Sequence, residues 1–121
     1  SHFVVAREFA GPLISEQNQA YMTQIVERCG LFHERVTSRE QVQVPISFPH
    51  NKTWLNLFAG WWEQGFKHFK ATAPKDATLT FVVELGPPGY AMQGADGDEL
   101  SDRWADSNQI KDLVREIWER C

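Results

Sequence analysis

His33 and Glu84 are the side chains whose types and positions best suit chemistry. Glu84 sits near the end of an apolar run, TLTFVVEL, just ahead of the turn Gly86-Pro87-Pro88-Gly89. A carboxylate in such a run is costly unless it has a partner or a task. His33 lies toward the end of a second run, LFHERV over 31–36. If both runs are parallel strands, the two side chains converge at one rim of a sheet. Ligand sites of open α/β sheets and barrels lie at the carboxyl ends of their strands. A neutral imidazole beside a carboxylate suits a divalent ion such as Mn²⁺, Co²⁺, Zn²⁺ or Mg²⁺. From the spacing alone, the same pair reads first as a structural His–Glu hydrogen bond, and two ligands do not complete a site. Arg35 shares a face with His33 and reads either as a ligand for a substrate phosphate or hydroxyl, or as a salt-bridge partner of Glu84. His2 joins the rim if SHF closes a strand, and is otherwise part of a frayed terminus.

Other chemistries find no support. His50 and His68 lack metal spacing and read as structural or exposed. No phosphate-loop or dinucleotide fingerprint is present, no serine sits in a nucleophile elbow, and neither Cys29 nor Cys121 has a nearby histidine. The two cysteines also lack zinc spacing and read as free thiols of a cytoplasmic protein. A net charge of −4 leaves no basic footprint for nucleic acid. No apolar run approaches the roughly 18 residues of a membrane span. Five Trp and eight Phe in 121 residues are read chiefly as core filling.

The elements that position these residues follow from period and punctuation. SHFVVA at 1–6 is a short strand or the tail of one. Ser15 caps a helix over 16–29, whose apolar face is Tyr21, Met22, Ile25, Val26 and Cys29, with Gly30 as its stop. Residues 31–36 form a strand, and 37–52 a long loop with Pro45 and Pro49. Thr53 caps a helix over 54–70 with the stripe Trp54, Phe58, Trp61, Trp62, Gly65 and Phe69. Leu79, Phe81, Val83 and Leu85 alternate with Thr80, Val82 and Glu84, which predicts a strand apolar on both faces and covered on both. The last helix starts near Asp102 or Asp106 and turns Ile110, Leu113, Val114, Ile117 and Trp118 inward. Strands alternating with helices make a single α/β domain, 1–121, with parallel strands.

FHERV followed by QVP, a helix containing WW, and a strand ending ELGPPGY resemble the sugar phosphate isomerase/epimerase group of xylose isomerase-like TIM barrels. SHFVVARE resembles that group's segment after a metal-binding strand end. The resemblance runs nearly from end to end and implies the C-terminal part of a (β/α)₈ barrel. It implies a metal-dependent isomerase or epimerase that moves a proton beside a carbonyl through an enediolate, acting on a sugar or sugar phosphate. His33 matches the family's metal histidine. Glu84 matches its last glutamate, at once metal ligand and catalytic group. His2 and Arg35 match substrate-contacting positions. The group's first Glu and its Asp would precede Ser1, so the expected partner is the missing N-terminal barrel half or a second copy, and the chain alone is expected to be inactive. From a different class comes a non-catalytic α/β module that binds a protein partner through its aromatic helix.

Overall fold

The computed structural model describes residues 15–121. His2 and the SHFVVA run therefore lie outside the described residues. Helix α1, Glu16–Val26, begins where Ser15 Oγ accepts from the Asn18 backbone N–H at 3.2 Å. It ends short of the expected residue 29 because Arg28 and Cys29 tighten into turns, their N–H groups donating to Ile25 O and Val26 O. Met22 and Val26 are buried, while Tyr21 stands 56% exposed and is not part of the core face.

Strand β1, Leu31–Glu34, is followed by a segment without regular structure up to a 3₁₀ turn at Pro49–Asn51. This loop is not a surface excursion: Val36, Val44 and Ile46 belong to the core, and Thr37, Gln43 and Asn51 are buried with them. Helix α2, Lys52–Thr72, starts earlier than Thr53. Asn51 occupies the cap position without a side-chain capping bond, because its Nδ2 instead donates to Pro45 O at 2.9 Å and ties down the buried loop. The inward stripe of α2 is Phe58, Trp61, Trp62, Gly65 and Phe66. Phe66, and not Phe69, takes the central place, with its ring edge-on to Phe32 and Phe81. The sequence stripe put Phe69 there because both residues sit at helical spacing from Trp62.

Strand β2, Thr80–Val83, pairs parallel to β1 in the register Phe32↔Phe81 and His33↔Val82. Helix α3, Arg103–Arg120, is capped by Asp102, whose carboxylate accepts from the Trp104 and Ala105 N–H groups. Ile110, Val114 and Ile117 are buried as expected, and Leu113 and Trp118 pack against the cluster from its margin. The three helices and the two-stranded parallel sheet form a mixed α/β fold. Polar ties reinforce the helix layer: Trp61 Nε1 donates to Gln19 Oε1, Gln64 Nε2 to Thr23 Oγ1, and Arg120 to Glu63.

Helices cover one face of the sheet. The other face carries Leu31, His33, Thr80 and Val82, with Leu31 54% and Val82 41% exposed. Among the described residues, the expected cover is present on one face of the strand only. The described helices supply one layer, and Thr80 and Val82 on the second face of β2 are exposed.

Candidate functional site

The ladder brings the two chemically competent residues together. Glu84 N donates to Glu34 O at 2.9 Å, extending the β1–β2 register by one step and setting Arg35 across from Glu84. Side chains alternate along a strand, so His33, Arg35, Val82 and Glu84 share the face away from the helices. His33 Nε2 lies 3.3 Å from Glu84 Oε2, with both side chains open to solvent. Two donors bound at about 2.1 Å to one ion, at octahedral to tetrahedral angles, stand about 3.0–3.4 Å apart. The observed pair thus has the spacing of two ligands of one ion as well as that of a hydrogen bond. Among the described residues, no cluster of three or more His, Cys, Asp or Glu is placed to hold a metal.

Arg35 is 4% exposed, with its Nη1 3.9 Å from Glu84 Oε1 and its guanidinium 5.0 Å from the centre of the Tyr90 ring. It is packed between the carboxylate and an aromatic face, an arrangement that suits the planar cation. Tyr90 reaches this position because the turn folds back on itself, with Tyr90 N and Ala91 N both donating to Pro87 O. Gly86 gives the ring its space, since a Cβ there would meet Tyr90 Cδ2 at 2.7 Å. Gly89, at φ +109°, takes the left-handed conformation that the turn requires.

Gln43 is the residue that sequence reasoning missed. Beyond Glu84, the ladder would next offer Val36 O to Gly86 N, but Val36 O is already taken by Val44 N. The Gln43 carboxamide fills the gap: its Oε1 accepts from Gly86 N at 2.7 Å and its Nε2 donates to Gly86 O at 3.0 Å. A side chain thus stands in for a strand and fixes the turn that carries Tyr90. The only trace in the sequence was its place in QVP.

Arg103 also reaches this end of β2, its Nη1 donating to Leu85 O at 3.5 Å. Cys29 and Cys121 are free thiols; burial, and then the Glu34 carboxylate, push the Cys29 thiol up. His50 is exposed beside Phe48, and His68 lies on α2. Among the described residues, no helix is long and apolar enough to cross a membrane. The chain matches no protein-family model, no curated protein and no solved structure.

Proposed function

We propose that this chain carries part of the active site of a cytoplasmic, metal-dependent sugar or sugar-phosphate isomerase or epimerase of the xylose isomerase-like barrel type. The observation that supports it best is the 3.3 Å approach of His33 Nε2 to Glu84 Oε2 at the carboxyl ends of two adjacent parallel strands. In this reading His33 and Glu84 hold a divalent ion, which polarises the substrate oxygens when bound. Glu84, still partly solvent-exposed, exchanges a proton at the carbon beside the substrate carbonyl. Arg35, whose Nη1 stands 3.9 Å from the second oxygen of Glu84, contacts the substrate in this reading. His2 joins as a substrate contact. The other metal-binding carboxylates come from the N-terminal half of the barrel. The alternative, a module that docks through α2, draws less support, because Phe58, Trp61, Trp62 and Phe66 are spent on the chain's own core.

The test is Mn²⁺ titration of the chain, followed by paramagnetic broadening of its histidine ring resonances. His33 is expected to broaden first and to do so only while Glu84 is present, Glu84→Gln weakening the effect. Equal broadening of His33, His50 and His68 would contradict the reading.

A further inference from the structure

We propose that Arg103 is a positioning residue for the candidate site: from the head of α3 it fixes the backbone just past Glu84 and so holds that carboxylate against His33. Glu84 N is held by β1, where it donates to Glu34 O at 2.9 Å. The next peptide unit but one, Leu85–Gly86, is gripped at both ends. Its N–H, on Gly86, donates to Gln43 Oε1 at 2.7 Å, and its C=O, on Leu85, accepts from Arg103 Nη1 at 3.5 Å. A peptide unit is planar, so two grips on opposite edges set its tilt. Without Arg103 the unit is held at one edge only, and its tilt passes through Leu85 to the backbone that aims Glu84.

Arg103 is itself anchored. Its Nε donates to both carboxylate oxygens of Glu99, at 2.9 and 2.7 Å. Glu99 in turn sits on a closed loop: it bridges to Gln93, Leu100 N donates to Met92 O, and Gly94 N donates to Asp98 O. On the other side of Arg103, the Asp102 carboxylate caps the first turn of α3. One guanidinium thus ties together the end of β2, the loop behind it and the head of α3. The residue type matters here. A lysine ammonium is a point charge that can pair with Glu99 or reach Leu85 O, whereas the planar guanidinium does both at once. Gln43 and Arg103 also border one void of about 10 Å³, room for one water at most.

The fold as a whole asks little of this arrangement. The Glu99–Arg103 pair is partly exposed, and such pairs contribute little to stability. Loss of Arg103 should therefore show in the aim of Glu84 more than in the unfolding midpoint. This inference rests on the reading of Glu84 as a site residue, but its test reads no metal, so it can fail while the metal reading stands.

The test is the NMR spectrum of the histidine rings in the metal-free chain at fixed pH, where the His33 Cε1–H resonance reports the approach of Glu84. Glu84→Gln marks where that resonance falls without the carboxylate. Arg103→Gln and Arg103→Lys should each move it about half way or more to that mark, with His50 and His68 unmoved and urea midpoints close to wild type. Arg120→Gln, which breaks the comparable tie to Glu63, should leave His33 in place. An unmoved His33 in folded Arg103→Gln overturns the proposal, as does an equal shift in Arg120→Gln or a shift shared by all three histidines. A wild-type spectrum in Arg103→Lys also overturns it, since charge alone would then suffice. If Arg103→Gln fails to fold by circular dichroism, Arg103→Lys decides. If Glu84→Gln itself leaves the His33 resonance in place, the His33–Glu84 pair is not formed, and the proposal falls together with the site reading.

Discussion

Phe32 and Phe81 are register partners on the same face of the sheet, stacked with ring centroids 5.9 Å apart, yet their surroundings differ. Phe32 is 1% exposed, with its ring tip against Gly65 and the Val26 carbonyl nearby. Phe81 meets Trp62 and Phe66 on one side and a cleft on the other. Helix α1 completes the packing on the β1 flank, whereas α3 overhangs the β2 flank without filling it. One flank is thus a finished core and the other is half of one. The candidate site, at the carboxyl ends of both strands, depends on the finished flank for its position.

Truncation should expose this difference most strongly. Phe32→Ala is expected to cost about 3–5 kcal/mol, the usual loss for a fully buried aromatic ring. Phe81→Ala should cost about half as much, because part of its surface is already wet. Urea unfolding of the two variants measures both, and equal losses would break the comparison. The two glycines that touch rings repeat the contrast on a smaller scale. A Cβ at Gly65 would stand 2.5 Å from Phe32 Cζ, inside packing with no room to yield, so Gly65→Ala should destabilise by about 1–3 kcal/mol. A Cβ at Gly86 would meet Tyr90 at Cδ2, Cγ and Cβ, 2.7, 2.9 and 3.0 Å away, but Tyr90 is 52% exposed and its turn has solvent to move into. The cost of Gly86→Ala should be the smaller of the two, about 1 kcal/mol. Tyrosine fluorescence is not selective against five tryptophans, so the displaced Tyr90 is best followed by its NMR ring shifts.

Gln43→Leu keeps bulk but leaves Gly86 N and O without their partner, for an expected loss of about 1–3 kcal/mol. Amide hydrogen exchange should speed up at Gly86 and around the turn while β1 stays protected. If β1 loses protection equally, Gln43 holds the whole sheet and not the turn alone.

Asp106 supplies the smallest effect and a pH signature. Burial holds its carboxyl above the ordinary range, against hydrogen bonds from the Ser47 side chain and the Ser47 and Ile46 backbone that pull the other way. The folded state therefore keeps this proton more tightly than the unfolded chain. That contribution is complete below the ordinary carboxylate pKa and is lost as pH rises through the raised value. Asp106→Asn removes the titration, so its stability relative to wild type should improve with rising pH across that window, as urea midpoints at stepped pH would reveal.

Much of the scaffold was legible because it is local. Ser15 and Asp102 cap their helices as their side chains dictate, and Ile110, Val114 and Ile117 face inward at helical spacing. The parallel pairing of β1 and β2 was legible from the alternation of strands and helices, and that pairing is what joins His33 to Glu84. What escaped was long-range. Asn51 displaces Thr53 at the head of α2 because its side chain is engaged with Pro45, and Gln43 reaches Gly86 across an aperiodic loop. The second face of β2, where Val82 is exposed, follows from the same pattern, since an apolar period states what a face prefers and not what covers it.

The proposed role of His33 and Glu84 as two ligands of one divalent ion is open to anomalous diffraction from crystals soaked in Co²⁺. A peak is expected within about 2.0–2.6 Å of both His33 Nε2 and a Glu84 carboxylate oxygen. A map with His33 and Glu84 still in direct contact and cobalt bound only at His50 or His68 would contradict it.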